Sequence, residues 1–233
     1  MFFHFDYMYL VFVAPAMLLA MWAQARVSSA YARGSQVNSS SGITGAEAAR
    51  RIMEGDGIYD VPIEPVAGHL TDHYDPSNKV LRLSQDNFYG TSLSALGVAA
   101  HEAGHAIQDA HRYPLMVVRG LMVPIASFGS SAAWITMIAG FMLSMTPLIL
   151  AGVILFSTTV VFQLVNLPVE FDASRRARAN LAVTGLIRPE EDKVVGDVLN
   201  AAAWTYVAAT LSSVLTLLYY LYRLGLLGGR SDD

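Results

Sequence analysis

His101, Glu102 and His105, in the run His101-Glu102-Ala103-Gly104-His105, are the residues of this chain whose types and spacing could do chemistry. Two histidines at i and i+4 sit about 40° apart around a helix, close enough for both imidazoles to reach one cation. A carboxylate beside them can take the proton of a water at the cation's open position, the task of a general base in metal-assisted hydrolysis. The flanking Val98–Ala100 and Ala106–Ile107 carry no charge. These three groups are then the polar features of a buried face, which is costly without a metal or partner. Six His and seven Glu among 233 residues make an accidental match to this spacing rare, with roughly 0.005 expected. The chain has no cysteine, so a disulfide framework and a cysteine-closed structural metal site are both excluded.

A third ligand has two sources. His111 stands six residues after His105, where the metzincin pattern HExxHxxGxxH places its last histidine, but Gln108 occupies the glycine position. Without that glycine the helix continues, and six residues turn a side chain by about 240°, so His111 should point away as a solvated histidine at the helix end. The other source is an acid on a later helix, where Val169–Ala177 offers Glu170 and Asp172. Their side chains diverge by about 200° on a helix, so only one can face a given ion.

The elements that must position these residues are largely apolar. Gly120–Val169 is 50 residues without Asp, Glu, Lys or Arg, and one membrane span needs about 20. Turn chemistry at Ser144–Pro147 divides the run into expected spans near 121–143 and 147–167. Two crossings between His105 and Glu170 return the chain to the face it left. Val198–Tyr222 gives another span, and Tyr7–Ala23 a fourth. The fourth has a rival reading as a cleaved leader, because Ala30-Tyr31-Ala32 mimics a cleavage site; Asp6 and the lack of a basic residue before the apolar run favour a retained span.

Between the spans, Ser35–Gly42 reads as a flexible connection. Thr44 and Glu47 have capping-box spacing ahead of a short helix ended by Gly55 and Gly57. Val61–His73 reads as extended, Asp75–Asn78 as a turn, and 79–84 as a strand with the alternation of a sheet edge, able to hold an extended peptide by backbone hydrogen bonds. The helix carrying His101 then spans Ser92–Ala110. His69, Thr71 and His73 share one face of an expected strand and could give an oxyanion donor or a second metal site, against the default of a solvated face. Tyr89 could donate to a tetrahedral intermediate, against an aromatic packing role. Arg175, Arg176 and Arg178 follow a span directly and read as membrane-surface anchors.

The block NFYGTSLSALGVAAHEAGHAIQ (87–108), with LPVEFDASRRA (167–177) after two spans, closely resembles the bacterial membrane-bound neutral zinc metallopeptidases of the YugP type. The resemblance covers nearly the whole chain. It implies a gluzincin-like site similar to that of the HtpX membrane proteases, with zinc on His101, His105 and Glu170 and with Glu102 as base. Ser174 stands where the related E-x-x-A-D motif has an aspartate that orients a ligand histidine. Glu170 also has the longer reach and follows the membrane exit at Pro168, whereas Asp172 faces headgroups or pairs with Arg176, four residues on.

The expected fold is an integral membrane protein, mainly α, with about four transmembrane helices and a small α+β zincin-like catalytic layer carrying the HExxH helix. It divides into a first span (1–24), a catalytic region (25–119), a transmembrane hairpin (120–169), the segment with the third ligand (170–197), and a last span with its tail (198–233). The expected activity is zinc-dependent endopeptidase hydrolysis of protein or peptide substrates, as unstructured segments at the bilayer surface, with protein quality control as the setting. Ser174, His73 and Tyr89 are candidates for orienting a ligand or stabilising an oxyanion. One rival is a catalytically silent membrane adaptor with a structural metal, which the intact Glu102 disfavours. Another is an intramembrane protease, disfavoured by Gln85, Asp86 and Asn87 before the helix and by Asp109 and Arg112 after the motif. A net charge of −4 argues against a nucleic-acid partner. Of 15 Lys and Arg, 13 lie between Ala23 and Gly120 or between Glu170 and Asp197. Those segments, and the site, are therefore expected on the cytoplasmic side of the cell membrane.

Overall fold

The computed structural model describes residues 7–227; Asp6, cited above against a leader, and Arg230, one of the two basic residues after the last span, lie outside the described residues. In chain order the elements are α1 (Tyr7–Ser35), α2 (Gly45–Gly55), β1 (Ile63–Val66), β2 (His73–Asp75), β3 (Val80–Ser84), α3 (Gln85–Tyr89), α4 (Leu93–Ala110), α5 (Pro114–Met142), α6 (Thr146–Val183) and α7 (Pro189–Arg223). Helices α1, α5, α6 and α7 are long and apolar enough to cross a membrane. Each outruns the span expected from its uncharged run, because residues such as Ala, Arg and Leu beyond the apolar stretch are good helix formers. The turn between α5 and α6 falls where expected, with Ser144 at φ 55° and the Met145 N–H donating to the Gly140 carbonyl at 2.8 Å.

Two compact units emerge. The first gathers, of the described chain, residues up to Trp22, 118–167, and those from Thr205 on. Its core is Ala133, Met137, Val153, Phe156, Val160, Tyr219 and Tyr220, and small residues set its helix spacing. A Cβ on Gly152 would lie 3.0 Å from the Met137 nitrogen, and one on Gly140 2.8 Å from the Ile149 nitrogen, the close backbone approach typical of helices packed in lipid. Phe128, Ile135, Leu121 and Met142 point outward and exposed.

The second unit comprises Ala23–Val117 and Pro168–Trp204. Its core joins α2, the sheet, α4 and parts of α6 and α7 through Ile52, Met53, Leu81, Leu83, Leu96, Ile107, Leu181 and Leu199. Thr44 caps α2, its hydroxyl accepting the Glu47 N–H at 3.2 Å, while the Glu47 carboxylate pairs with Arg51 rather than closing the box. Asp75 builds the expected turn by accepting the Ser77 and Asn78 N–H groups, and β2 and β3 form the expected antiparallel hairpin, with Asp75 opposite Val80.

Three expectations are corrected here. Strand β3 is central, in the order β1-β3-β2, with β1 parallel to it; four of its five residues are buried, so its rough alternation did not mark an edge. His69, Thr71 and His73 do not share a strand face, because Gly68 (φ 109°) and Leu70 (φ 54°) break the extended run and β2 begins only at His73. Ser35–Gly42 is pinned rather than loose. The Ser39 N–H donates to the Thr91 carbonyl, its hydroxyl to the Leu186 carbonyl, and Ser40 donates twice to Glu191.

Candidate metal centre

Helix α4 is capped by Ser92, whose hydroxyl accepts the Ala95 N–H at 3.2 Å, and is buried along nearly its whole length. Only a helix surrounded by protein brings His101, Glu102 and His105 out of water together. Facing it is α6. A Cβ on Gly104 would lie 2.8 Å from the Ala173 carbonyl oxygen, so the two backbones meet where the side chain is missing. That approach sets Glu170, one turn before Ala173, against both histidines.

Glu170 Oε2 lies 3.2 Å from His101 Nε2 and 3.3 Å from His105 Nε2. One ligand atom from each of the three residues lies within 4.8 Å of the others, and Glu170 is only 2% exposed. The imidazole planes stand 86° apart. The far nitrogens are held as well. His101 Nδ1 is 3.2 Å from Ser174 Oγ, and His105 Nδ1 is 2.9 Å from Gln108 Oε1. The Gln108 amide cannot be turned around, because its NH₂ donates to the Val169 carbonyl and to Asp172 Oδ2, each at 2.9 Å. His105 must therefore donate from Nδ1, so in the neutral imidazole the Nε2 lone pair faces an anionic oxygen. Two acceptors meeting in a buried space are stabilised by a cation between them. The donor set, two imidazole nitrogens and one carboxylate oxygen, suits Zn²⁺.

Glu102 is buried beside this cluster, and its Oε2 accepts the backbone N–H of Tyr74 on β2 at 2.9 Å. Burial, reinforced by the nearby Glu170 and Asp72 carboxylates, pushes its carboxyl up to about 7, while His101 and the Tyr74 N–H oppose the shift. The Tyr74 hydroxyl donates to Asp109 at the end of α4 at 2.7 Å, so β2 is tied to the helix at both ends of one residue. Asp72 accepts from the N–H and hydroxyl of Ser84 and from the Asn87 amide, and Asn87 in turn accepts from the Tyr31 hydroxyl at 2.8 Å. This network holds β2 in place.

The structure thus brings together His101, Glu102, His105, Glu170 and Ser174. His111 caps α4 and pairs with Asp56 at 2.7 Å, away from the cluster. His73 is exposed, with Nδ1 2.8 Å from the Thr71 carbonyl. Tyr89 is 63% exposed, stacks edge-on against Phe88, and lines a separate cavity with His69 and Tyr31. Asp172 is buried rather than turned to headgroups, and it accepts from Arg175, Arg176 and Gln108. Gln108 is the residue the sequence reading undervalued. It mattered there only as a missing glycine, although a buried amide three residues after a ligand histidine lies on the same helix face.

A family model described as "Putative neutral zinc metallopeptidase" matches residues 9–225. The chain is 47% identical over 227 residues to the "Putative membrane protease YugP" of Bacillus subtilis (strain 168), an alignment covering 97% of this chain and 100% of that protein. No solved structure matches it. A match running from α1 to the last described residues, identity at nearly half of all positions, and a buried two-histidine, one-glutamate cluster agree: the chain belongs to the family described as "Putative neutral zinc metallopeptidase".

Proposed function

We propose that the chain is a membrane-bound, zinc-dependent endopeptidase of zincin type, its HExxH helix α4 and Glu170 forming a gluzincin-like site that cuts unstructured protein segments. The observation that carries this reading is Glu102, a buried carboxyl held by the Tyr74 N–H beside the three-donor cluster. A purely structural metal site has no use for it. Zn²⁺ bound by His101, His105 and Glu170 would supply Lewis acidity toward a carbonyl and toward water. Glu102 takes the proton of the attacking water and delivers it to the departing amine nitrogen. A carboxylate that accepts a proton in one step and returns it in the next can do both. Ser174 and Gln108 fix the imidazoles so that their Nε2 atoms stay aimed at one point.

Glu102→Gln removes the base and no ligand. Proteolysis of an unfolded substrate should fall on the order of 10²–10⁴-fold with zinc content unchanged, and normal turnover in this variant would refute the enzyme reading. A silent adaptor would show no turnover even in the wild type.

The predominance of Lys and Arg in the segments that carry the site favours the cytoplasmic face of the cell membrane. Tyr59, 78% exposed, offers the check: a cysteine there should resist a membrane-impermeant thiol reagent in intact cells and react after lysis. Labelling in intact cells would reverse the orientation.

A further inference from the structure

A groove of about 440 Å³ runs between α6 and α7. Its apolar wall includes Phe171, Leu199 and Ala203, and its polar wall Arg175, Arg178 and Asn200. On the α6 wall the bulky Phe171 stands at one end and the two arginines farther along, with Ala179 and Ala182 continuing the wall beyond them. Phe171 follows the 50-residue uncharged run almost at once, and Ala203 lies just inside the uncharged run 198–222, so the Phe171 end is the one toward the membrane. Arg175 and Arg178 lie about 6 Å and 10 Å farther along α6. A headgroup layer is about 5–8 Å deep per leaflet.

Arg178 is seated rather than loose. Its Nε and Nη2 donate to the two carboxylate oxygens of Asp192, at 3.0 and 2.5 Å. The guanidinium lies across Gly196, where a Cβ would stand 3.1 Å from Cζ and 3.3 Å from Nε. Two of its five N–H donors are spent on Asp192 and three remain for another acceptor. Arg175 gives one contact to Asp172, and its side chain is 78% exposed.

We propose that this groove binds the phosphodiester of an anionic phospholipid, with Arg175 and Arg178 on the phosphate oxygens and an acyl chain along Phe171, Leu199 and Ala203. A fork of planar guanidinium donors suits a phosphate, and an apolar wall suits a methylene chain. The proposal rests on the membrane reading, and the groove also borders Ser174, the partner of His101.

The test is lipid retention by the full-length, zinc-loaded protein in detergent, titrated with phosphatidylglycerol or phosphatidylcholine and read by native mass spectrometry. The wild type should hold one phosphatidylglycerol at least tenfold more tightly than phosphatidylcholine. Arg175→Gln should weaken this about fivefold, the worth of one interfacial cation. Arg178→Ala should weaken it further, and Ala179→Leu, which fills the groove without touching a charge, should abolish it. Retained zinc certifies the fold of each variant, and Arg175→Gln with Ala179→Leu suffices if Arg178→Ala does not fold. Equal retention of the two lipids, or retention unchanged in those two variants, would overturn the proposal. So would displacement by millimolar inorganic phosphate or by an acidic peptide, which would assign the groove to a free anion or to protein.

Discussion

Replacing Gly104 with alanine should cost zinc binding far more than it costs folding. A Cβ there would stand 2.8 Å from the Ala173 carbonyl oxygen and 3.3 Å from its Cα, so α6 must retreat by roughly 0.6 Å to restore ordinary contact. Overpacking of this kind costs about 1–3 kcal/mol, and alanine returns about 1 kcal/mol of helix propensity, leaving about 0–2 kcal/mol of lost stability. The metal is less forgiving. Ligand distances are held to within about 0.2 Å, and Glu170 rides on the part of α6 that must move. Displacing it by three times that tolerance should weaken zinc binding by at least the 10–100-fold seen when support for a ligand is lost. Chelator competition measures the affinity, and thermal unfolding of the metal-free protein measures the stability. Gly97→Ala is the control, since its Cβ would meet only the Val195 Cγ1, at 3.3 Å, a side chain that can yield. If Gly104→Ala bound zinc as tightly as the wild type, the backbone approach would not be what sets the third ligand.

Further outcomes follow from the same geometry. Glu170→Ala should lose zinc and activity together and Gln108→Leu should weaken zinc about 10–100-fold, whereas His111→Ala should keep both; metal analysis and chelator competition on the three variants decide it. Because burial raises the Glu102 carboxyl to about 7, it carries a proton at pH 6 in the metal-free protein, and a neighbouring dication expels that proton. Zinc loading at pH 6 should then release up to one more proton from the wild type than from Glu102→Gln, with the difference gone by pH 9, as calorimetry in buffers of different ionisation enthalpy would record.

The site was legible where one helix or one run of residues contains the signal. His101 and His105 meet because of a local period, and the turn at Ser144 shows in the uncharged run it interrupts. The rejection of His111 also rested on helix rotation alone, and its pairing with Asp56 agrees. What stayed hidden depends on contacts between segments far apart in sequence. Gln108 gains its role from a carbonyl on Val169 and a carboxylate on Asp172, neither of which a local pattern shows. Strand β3 looked like an edge because β1 joins it in parallel from across an irregular stretch, and no short-range signal announces a parallel partner. The polar serines of 35–42 read as loose by composition, yet their hydrogen bonds reach residues as far along as Glu191.

The second unit is discontinuous: Ala23–Val117 and Pro168–Trp204 are separated in the chain by the 50 residues of 118–167. During synthesis His101, Glu102 and His105 are made first, and the 65 residues from His105 to Glu170 occupy a ribosome for roughly 3–13 s at ordinary elongation rates. The apolar hairpin must be delivered in that interval before the third ligand exists. A nascent chain arrested ahead of Glu170 should therefore hold no zinc in this cluster, and the base and its histidines stay unarmed until the hairpin is made.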